Sequence, residues 1–158
     1  MFAKRLISTK RPLGLEAGLG IIWEAFEYYE ALKKVLCYVS SNPDKVLSLT
    51  GAAKIAGMSR SQFASYFHKT AGVPYKHWLD FVRVKRSITL LRFTNKSMLD
   101  VAEECGFADA TTFTRTFRRI EGVTPREFRR GLQVRVKTRM LDESPKELDE
   151  SPRVSEFS

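Results

Sequence analysis

The sequence contains few residues of the types that bind metals. Two cysteines (Cys37 and Cys105) and two histidines (His68 and His77) occur among 158 residues. Neither cysteine belongs to a paired ligand spacing such as C-x-x-C, and no cluster of cysteines or carboxylates accompanies the histidines. We therefore expect no metal site and no cofactor. So small a number of cysteines fits a protein of the reducing cytoplasm.

Long apolar runs and catalytic motifs are also missing. No stretch approaches the roughly 18 apolar residues that a membrane span needs. The basic residues near the start are not followed by the clean apolar core of a secretion signal. The sequence has no glycine-rich phosphate loop, no nucleophile elbow and no metal-binding helix motif. We therefore predict no catalytic residues and a protein that is not an enzyme.

Positive charge is abundant, and it is concentrated in one region. The formal net charge is +9 and the pI is near 9.8. Residues 30–130 carry 18 lysines and arginines against 9 acidic residues, whereas the charges at the two ends nearly balance. Such a basic surface is compatible with simple solvation, but it also suits a polyanionic partner such as nucleic acid.

A pattern over residues 102–130 predicts two short helices joined by a turn. Gly106 permits the turn, and Asp109 can cap the helix that follows. Phe113 and Phe117 are four residues apart and therefore share a buried face. A different, polar face is formed by Thr111, Thr114, Arg115 and Arg118. Two helices around a glycine turn, with an Arg/Thr face on the second, are typical of a DNA-binding helix-turn-helix motif.

The same pattern occurs earlier in the chain. The corresponding positions of this first copy are Ala53, Gly57, Phe63, Phe67, Gly72, Val73 and Pro74, which match Ala102, Gly106, Phe113, Phe117, Gly122, Val123 and Thr124–Pro125. The offset is 49 residues up to the first glycine and 50 after it, which places one extra residue in the second turn. Two copies in register are a much stronger indication than one.

These residues resemble the DNA-binding domain of the AraC/XylS transcription regulators. The second copy matches the signature A-x-x-x-G-F-x-D-x-x-x-F-x-R-x-F-R-R-x-x-G-x-T-P-x-x-F-R of that family. The first copy matches less tightly, through A-x-x-x-G-M-S-R-S-Q-F-x-x-x-F. The resemblance covers residues 30–130. It implies base contacts at the exposed stripes of both motifs and activation of transcription through contact with RNA polymerase.

We predict an all-α fold, with two helix-turn-helix subdomains joined by a long linker helix and about seven helices in all. The first motif covers about residues 48–72, the linker helix about 74–93 and the second motif about 97–122. Residues 1–29 contain three closely spaced glycines, which favours a flexible arm with a helix possible from about Ile21; a remnant of an upstream domain is the alternative. Residues 131–158 include two consecutive seven-residue units that both begin L-D-E-S-P, and these residues are predicted to form a disordered tail.

Exposed positions of the two motifs are the candidate DNA contacts. Arginine can pair with guanine and a threonine methyl can pack on thymine, so Thr111, Thr114 and Arg115 suit base reading. The small side chains of the first copy predict poorer discrimination there. The full candidate set is Ser59, Arg60, Ser61, Ala64, Ser65, His68 and Lys69 in the first motif, Arg86 in the linker helix, and Asp109, Ala110, Thr111, Thr112, Thr114, Arg115, Thr116, Arg118 and Arg119 in the second. Lys69, Arg86, Arg118 and Arg119 suit phosphates or solvent equally well.

The predicted function is that of a sequence-specific transcription regulator that binds double-stranded DNA at the nucleoid of a bacterial cytoplasm. A linker helix of about 30 Å is close to the roughly 34 Å of one DNA turn, so one chain can reach adjacent major-groove segments. We therefore predict a monomer on DNA. Two other interpretations stay open: the recognition part of a DNA-handling enzyme such as a transposase, and a nonspecific architectural DNA binder.

Overall fold

The computed structural model describes residues 20–42 and 45–142, and every regular element in them is an α-helix. The predicted all-α class is therefore confirmed. The helices are α1 (Ala25–Tyr28), α2 (Glu30–Ser41), α3 (Leu49–Ala56), α4 (Arg60–Ala71), α5 (Tyr75–Phe93), α6 (Met98–Glu104), α7 (Ala110–Glu121) and α8 (Pro125–Asp142). The described residues hold one helix more than predicted, because the single turn α1 precedes α2.

Side-chain caps fix where the helices of both motifs begin. The Ser48 hydroxyl accepts a hydrogen bond from the Gly51 N–H at the start of α3. Capping boxes start α4 and α6. In each, the N-cap side chain accepts from the backbone N–H three residues later, and the side chain of that later residue accepts from the N-cap N–H. The box at α6 joins Ser97 to Asp100, as their spacing predicts. At the other end, Gly72 and Gly122 terminate α4 and α7 with identical backbone angles, φ 79° and ψ −12°.

Aromatic rings dominate the core of the first motif. Phe67 lies at the centre, with its ring centroid 5.3 Å from Tyr75 and 5.5 Å from Trp78 on α5. Phe63 contacts both Phe67 and Tyr75. The Tyr75 hydroxyl donates to the backbone carbonyl of Leu47 at 2.9 Å, so this polar atom is satisfied inside the core. The predicted burial of Phe63 and Phe67 is confirmed.

Residues 20–28, which we call the N-terminal strap, complete that core. The Ile22 N–H donates to the Ala71 carbonyl at 2.9 Å. Phe26 is buried, and its ring stacks on Trp78 at 5.3 Å. Trp23 packs against Phe81 at 5.5 Å. The prediction of a flexible arm is therefore wrong for this part of residues 1–29, because apolar rings closely spaced along the chain find a buried surface; residues 1–19 lie outside the described residues.

The core of the second motif is smaller, and the side chains that α5 and α6 contribute to it are mostly aliphatic. Val84 and Leu91 of α5 pack with Val101 of α6 and with the buried rings of Phe113 and Phe117 on α7, whose predicted burial is also confirmed. The long helix α5 thus contributes its first half to one core and its second half to the other. This sharing fixes the two motifs on one rod.

The last helix is longer than predicted. The chain stays helical through Asp142, so the loss of regular structure predicted from Gly131 onward is wrong for residues 131–142. Residues 133–139 are exposed, which explains why no apolar periodicity marks them. They contain neither proline nor glycine, so nothing in them breaks the helix. Residues 143–158 of the predicted tail lie outside the described residues.

Candidate nucleic-acid interface

The polar stripe of α7 lies on the open surface of the second motif. Thr111, Arg115 and Arg118 are exposed and Thr114 is half-buried. These four side chains line one wall of a shallow groove between α7 and the start of α8. The groove therefore presents hydroxyls, methyl groups and two guanidinium groups to whatever approaches this face, a combination that can pair with bases and with phosphates.

Asp109 and Thr112, two further candidates, are occupied by each other at the start of α7. The Thr112 N–H donates to Oδ1 of Asp109 at 2.7 Å, and the Thr112 hydroxyl donates to Oδ2 at 2.8 Å. These hydrogen bonds, the backbone one foremost, lower the pKa of Asp109 below its ordinary value. Ala110, the first helical residue, is half-buried between the cap and the groove. The carboxylate therefore acts as a helix cap rather than as a free acceptor.

The corresponding surface of the first motif carries smaller side chains. Arg60, Ser61, Ser65, His68 and Lys69 are exposed along α4, and Ala64 is half-buried. Ser59 is the N-cap: its hydroxyl accepts from the Gln62 N–H at 3.2 Å, and the Gln62 side chain accepts from the Ser59 N–H at 3.0 Å. The middle of the α4 stripe thus has only short hydroxyls and a methyl group where α7 has Thr114 and Arg115.

Three candidates do not lie on the stripes. Thr116 is only 8% exposed and shares the packed face of α7 with Phe113 and Phe117, so its inclusion among the DNA contacts is wrong. Arg119 donates to Oδ2 of Asp80 on α5 at 3.2 Å, which directs its guanidinium toward the linker helix. Arg86 is half-buried on α5.

Four residues that line the groove are absent from the predicted set: Met98, Thr124, Pro125 and Arg126. The two with polar side chains, Thr124 and Arg126, lie at the start of α8. Thr124 and Glu127 form reciprocal bonds, with the Thr124 N–H donating to Oε2 of Glu127 at 2.8 Å. This backbone hydrogen bond and the Thr124 hydroxyl lower the pKa of Glu127. The T-P-R-E run could have revealed that both residues begin a helix, because it has the spacing of a capping box. It does not reveal that this first turn lies beside α7, which depends on the packing of the two helices.

The described residues contain no group of three or more His, Cys, Asp and Glu side chains placed to hold a metal ion. Of the two thiols, Cys37 is exposed and Cys105 is buried, and burial raises the pKa of Cys105 to about 11. In the part of the chain that the structure covers, no helix combines the length and the apolar character needed to cross a membrane.

The sequence is similar to a described domain family and to bacterial proteins with helix-turn-helix motifs. The family model described as a helix-turn-helix domain matches residues 52–131, half of the chain. An HTH-type transcriptional regulator of Staphylococcus aureus is 29% identical over 100 residues, which make up 63% of this chain and 13% of that protein. The Transposon Tn10 TetD protein of Escherichia coli is 33% identical over 99 residues, which make up 63% of this chain and 72% of that protein. The chain thus spans a small part of the staphylococcal regulator.

Solved structures share the fold. The DNA-binding domain of AdpA, crystallised in complex with a target DNA, has a TM-score of 0.63 and 27% identity, over 68% of this chain and 96% of that one. An AraC-type regulator from Chromobacterium violaceum has a TM-score of 0.58 and 29% identity, over 63% of this chain and 88% of that one. Two motifs on one rod, the matched signature and these relatives agree: the chain belongs to the AraC/XylS family of helix-turn-helix proteins.

Proposed function

We propose that this chain is a sequence-specific transcription regulator that binds double-stranded DNA. The observation that carries the proposal is the exposed stripe of Thr111, Arg115 and Arg118 along the groove of the second motif. A guanidinium group can donate two hydrogen bonds to guanine in the major groove, and a threonine methyl can pack on the methyl of thymine. The complex of the AdpA domain with its target DNA supports the same class of partner here.

One chain binds as a monomer and inserts α4 and α7 into adjacent major-groove segments. Helix α5, between the two motifs, has 19 residues and therefore a length of about 28 Å. One turn of the double helix is roughly 34 Å, so the two recognition helices can follow one side of the duplex. The site is then asymmetric and covers about 20 base pairs, two helical turns.

Arg115 and Thr111 supply most of the base reading, and Ser61 and Ser65 supply less. Arg118 and Arg126, at the edge of the groove, hold phosphates of the flanking backbone. In the first motif, Arg60, His68 and Lys69 play the same positioning part along α4. The protein acts in the bacterial cytoplasm, at the nucleoid.

Bound at a promoter, the chain activates transcription by contact with RNA polymerase, the mode that the family resemblance implies. In vitro transcription from a promoter with and without the selected site tests this mode. We expect more transcript when site and protein are both present. Less transcript under the same conditions identifies a repressor.

Selection of bound sequences from a random DNA pool tests the function, and mass measurement of the complex on one selected site tests the stoichiometry. We expect an asymmetric, two-part site and a complex of one chain with one duplex. The selected site should be preferred over unrelated DNA by roughly 10³-fold or more. Equal binding to unrelated DNA indicates an architectural binder. An inverted repeat that binds two chains, with no one-chain complex, contradicts the monomer.

A further inference from the structure

We propose that two ion pairs between α5 and α7 fix the spacing at which the chain recognises the two halves of its DNA site; this inference rests on the function proposed above. The pairs are Asp80 with Arg119 and Lys85 with Glu121, and we call them together the helix clasp. They lie outside the two polar stripes and play no part in base contact. Their role is to position the second recognition helix relative to the first.

The two pairs cross between the helices in opposite senses. Oδ2 of Asp80 on α5 accepts from the Arg119 guanidinium of α7 at 3.2 Å. Oε1 of Glu121 on α7 accepts from Nζ of Lys85 on α5 at 2.9 Å. Lys85 also lies 5.1 Å from the centre of the Phe81 ring. Each helix thus offers one carboxylate and one cation to the other, which sets both the rotation and the axial position of α7 against α5.

The acidic partners of the clasp are buried, which increases the energetic contribution of the two ion pairs. The side chains of Asp80 and Glu121 are 5% and 8% exposed. A carboxylate with so little access to water requires a partner, whereas an ion pair in open solvent contributes little. Displacing α7 would strip Glu121 of Lys85, so the clasp resists rotation of the recognition helix more strongly than an exposed pair would.

Asp80 has a second cation, Lys76, at 3.0 Å on the same helix. Lys76 is 77% exposed and remains beside Asp80 if Arg119 is removed. Loss of Arg119 therefore leaves the carboxylate paired and removes one of the two ion pairs that join α7 to α5. This arrangement separates the orienting role of Arg119 from the need to neutralise Asp80.

The position of Asp80 makes the clasp a link between the motifs. Its neighbours Leu79 and Phe81 belong to the first motif's side of α5, since Leu79 lies in that core and Phe81 contacts Trp23 of the N-terminal strap. Arg119 belongs to the recognition helix of the second motif. The Asp80–Arg119 hydrogen bond therefore ties the second recognition helix to the part of the rod on which the first motif is built.

The consequence is a fixed offset between the two recognition helices. Adding one base pair between the half-sites moves the second by about 3.4 Å and turns it by roughly 35°. Two recognition helices held at a fixed offset cannot both contact half-sites displaced in this way. The loss of one matched half-site lowers affinity by about tenfold or more. With the clasp opened, α7 can follow, so the penalty for altered spacing falls while recognition within each half-site persists.

The first experiment measures the clasp without DNA. Spin labels at Ser61→Cys and Thr111→Cys, in a Cys37→Ser background that leaves the buried Cys105, report the distance between the recognition helices. We expect a narrow distribution in the otherwise unchanged protein and a broader one after Asp80→Asn, Arg119→Gln or Glu121→Gln. Lys76→Gln is the matched control, because it removes a cation from Asp80 without opening the contact with α7, and it should leave the distribution narrow.

The second experiment uses the selected DNA site with one base pair added or removed between its halves. The unchanged protein should lose about tenfold or more in affinity, and Arg119→Gln and Glu121→Gln should reduce that loss by at least about threefold. Lys85→Glu combined with Glu121→Lys should restore discrimination that each single change removes.

Unchanged distance distributions and unchanged spacing penalties in folded variants overturn the clasp. Equal broadening by Lys76→Gln also overturns it, since the effect then belongs to α5 alone. Arg119 is 49% exposed, so Arg119→Gln keeps the test available if Asp80→Asn fails to fold. Failure of the unchanged protein to select any two-part site contradicts the proposed function instead, and the distance measurement still decides the clasp.

Discussion

The two helix-turn-helix motifs share a backbone pattern and a pair of buried phenylalanines, but they differ in the rest of their cores and in their exposed stripes. Both recognition helices end at a glycine with the same φ and ψ, and both bury a pair of phenylalanines four residues apart. The first motif has the larger aromatic core, completed by the N-terminal strap, but a stripe of small side chains. The second has the smaller core but the stripe that contains Arg115 and Arg118.

This contrast indicates a division of labour within one domain. The first motif is stabilised by its own rings and by the strap, so its recognition helix can be rigid without rich contacts to DNA. In the second motif, a shared core and the two ion pairs of the clasp hold α7 against α5, and α7 is the helix to which we assign most of the base contacts. The larger aromatic core thus lies in the first motif, while the proposed function assigns most of the base reading to the second; four predictions test that separation.

The largest expected effect is on the strap. Phe26→Ala removes a buried ring that contacts Trp78, Phe67 and Trp23, and should lower the free energy of unfolding by about 3–5 kcal/mol. Tyr28→Ala is the control, because Tyr28 also belongs to the strap but is exposed. It should change the free energy of unfolding by less than about 0.5 kcal/mol. Denaturant titration followed by circular dichroism measures both. Equal, small effects would mean that the strap does not belong to the first core.

The second prediction compares the glycines that end the recognition helices. Gly122→Ala places a methyl group in open space and carries only the cost of a left-handed residue, about 1–2 kcal/mol. A methyl group on Gly72 would lie 2.5 Å from the Gly20 carbonyl oxygen of the strap, so Gly72→Ala should cost about 2–4 kcal/mol. Thermal unfolding of the two variants compares them. Equal losses of stability in the two variants would show that contact with the strap does not add to the cost at Gly72.

The third prediction compares matched positions of the two stripes. Arg115→Ala should weaken binding to the selected site by about 1–3 kcal/mol, because it removes a side chain able to pair with guanine. Ser65→Ala, at the corresponding position of α4, should change it by less than about 0.5 kcal/mol. Titrations on selected and scrambled DNA separate the roles: a loss that is equal on both assigns Arg115 to a phosphate instead of a base.

The smallest effect concerns pH. The hydrogen bonds from Thr112 lower the pKa of Asp109 in the folded protein, so its contribution to stability is complete above the unfolded pKa of about 4 and is lost as the pH falls through the folded value. Ser59, the equivalent cap of α4, is a hydroxyl and does not titrate in this range. Amide hydrogen exchange, corrected for intrinsic rates, should show protection lost at the start of α7 but not of α4 in acid.

Asp109→Asn provides the control for that measurement, because an asparagine cap keeps an acceptor without a titrating group. It should abolish the difference between the two helices. Loss of protection at both helix starts, in equal measure, would assign the acid response to global unfolding.

The parts that sequence could predict are those where periodicity and capping act locally. The four-residue spacing of the phenylalanines predicts the buried faces that contain Phe63, Phe67, Phe113 and Phe117. The spacing of Ser97 and Asp100 predicts a helix start. The assignment of Thr116 to the exposed stripe is wrong because its hydroxyl was weighed above its position: it follows Phe113 by three residues, so helical spacing already places it on the buried face.

The strap and the clasp lay beyond such reasoning for different reasons. Trp23 and Phe26 occupy a segment too short for a periodic signal, and their partners on α4 and α5 lie far along the chain. The clasp joins residues 39 and 36 positions apart, so no local pattern relates them. Of the groove, Arg126 was missed because its place beside α7 follows from the angle between α7 and α8.

The strap also determines how the domain responds to mechanical force. A pull applied to the chain on the N-terminal side of Gly20 reaches the hydrogen bond between Ile22 and Ala71 first and then the ring contacts of Trp23 and Phe26. These contacts end on α4 and on the first half of α5, so we expect tension from that side to separate the strap from the first motif before the second motif is disturbed.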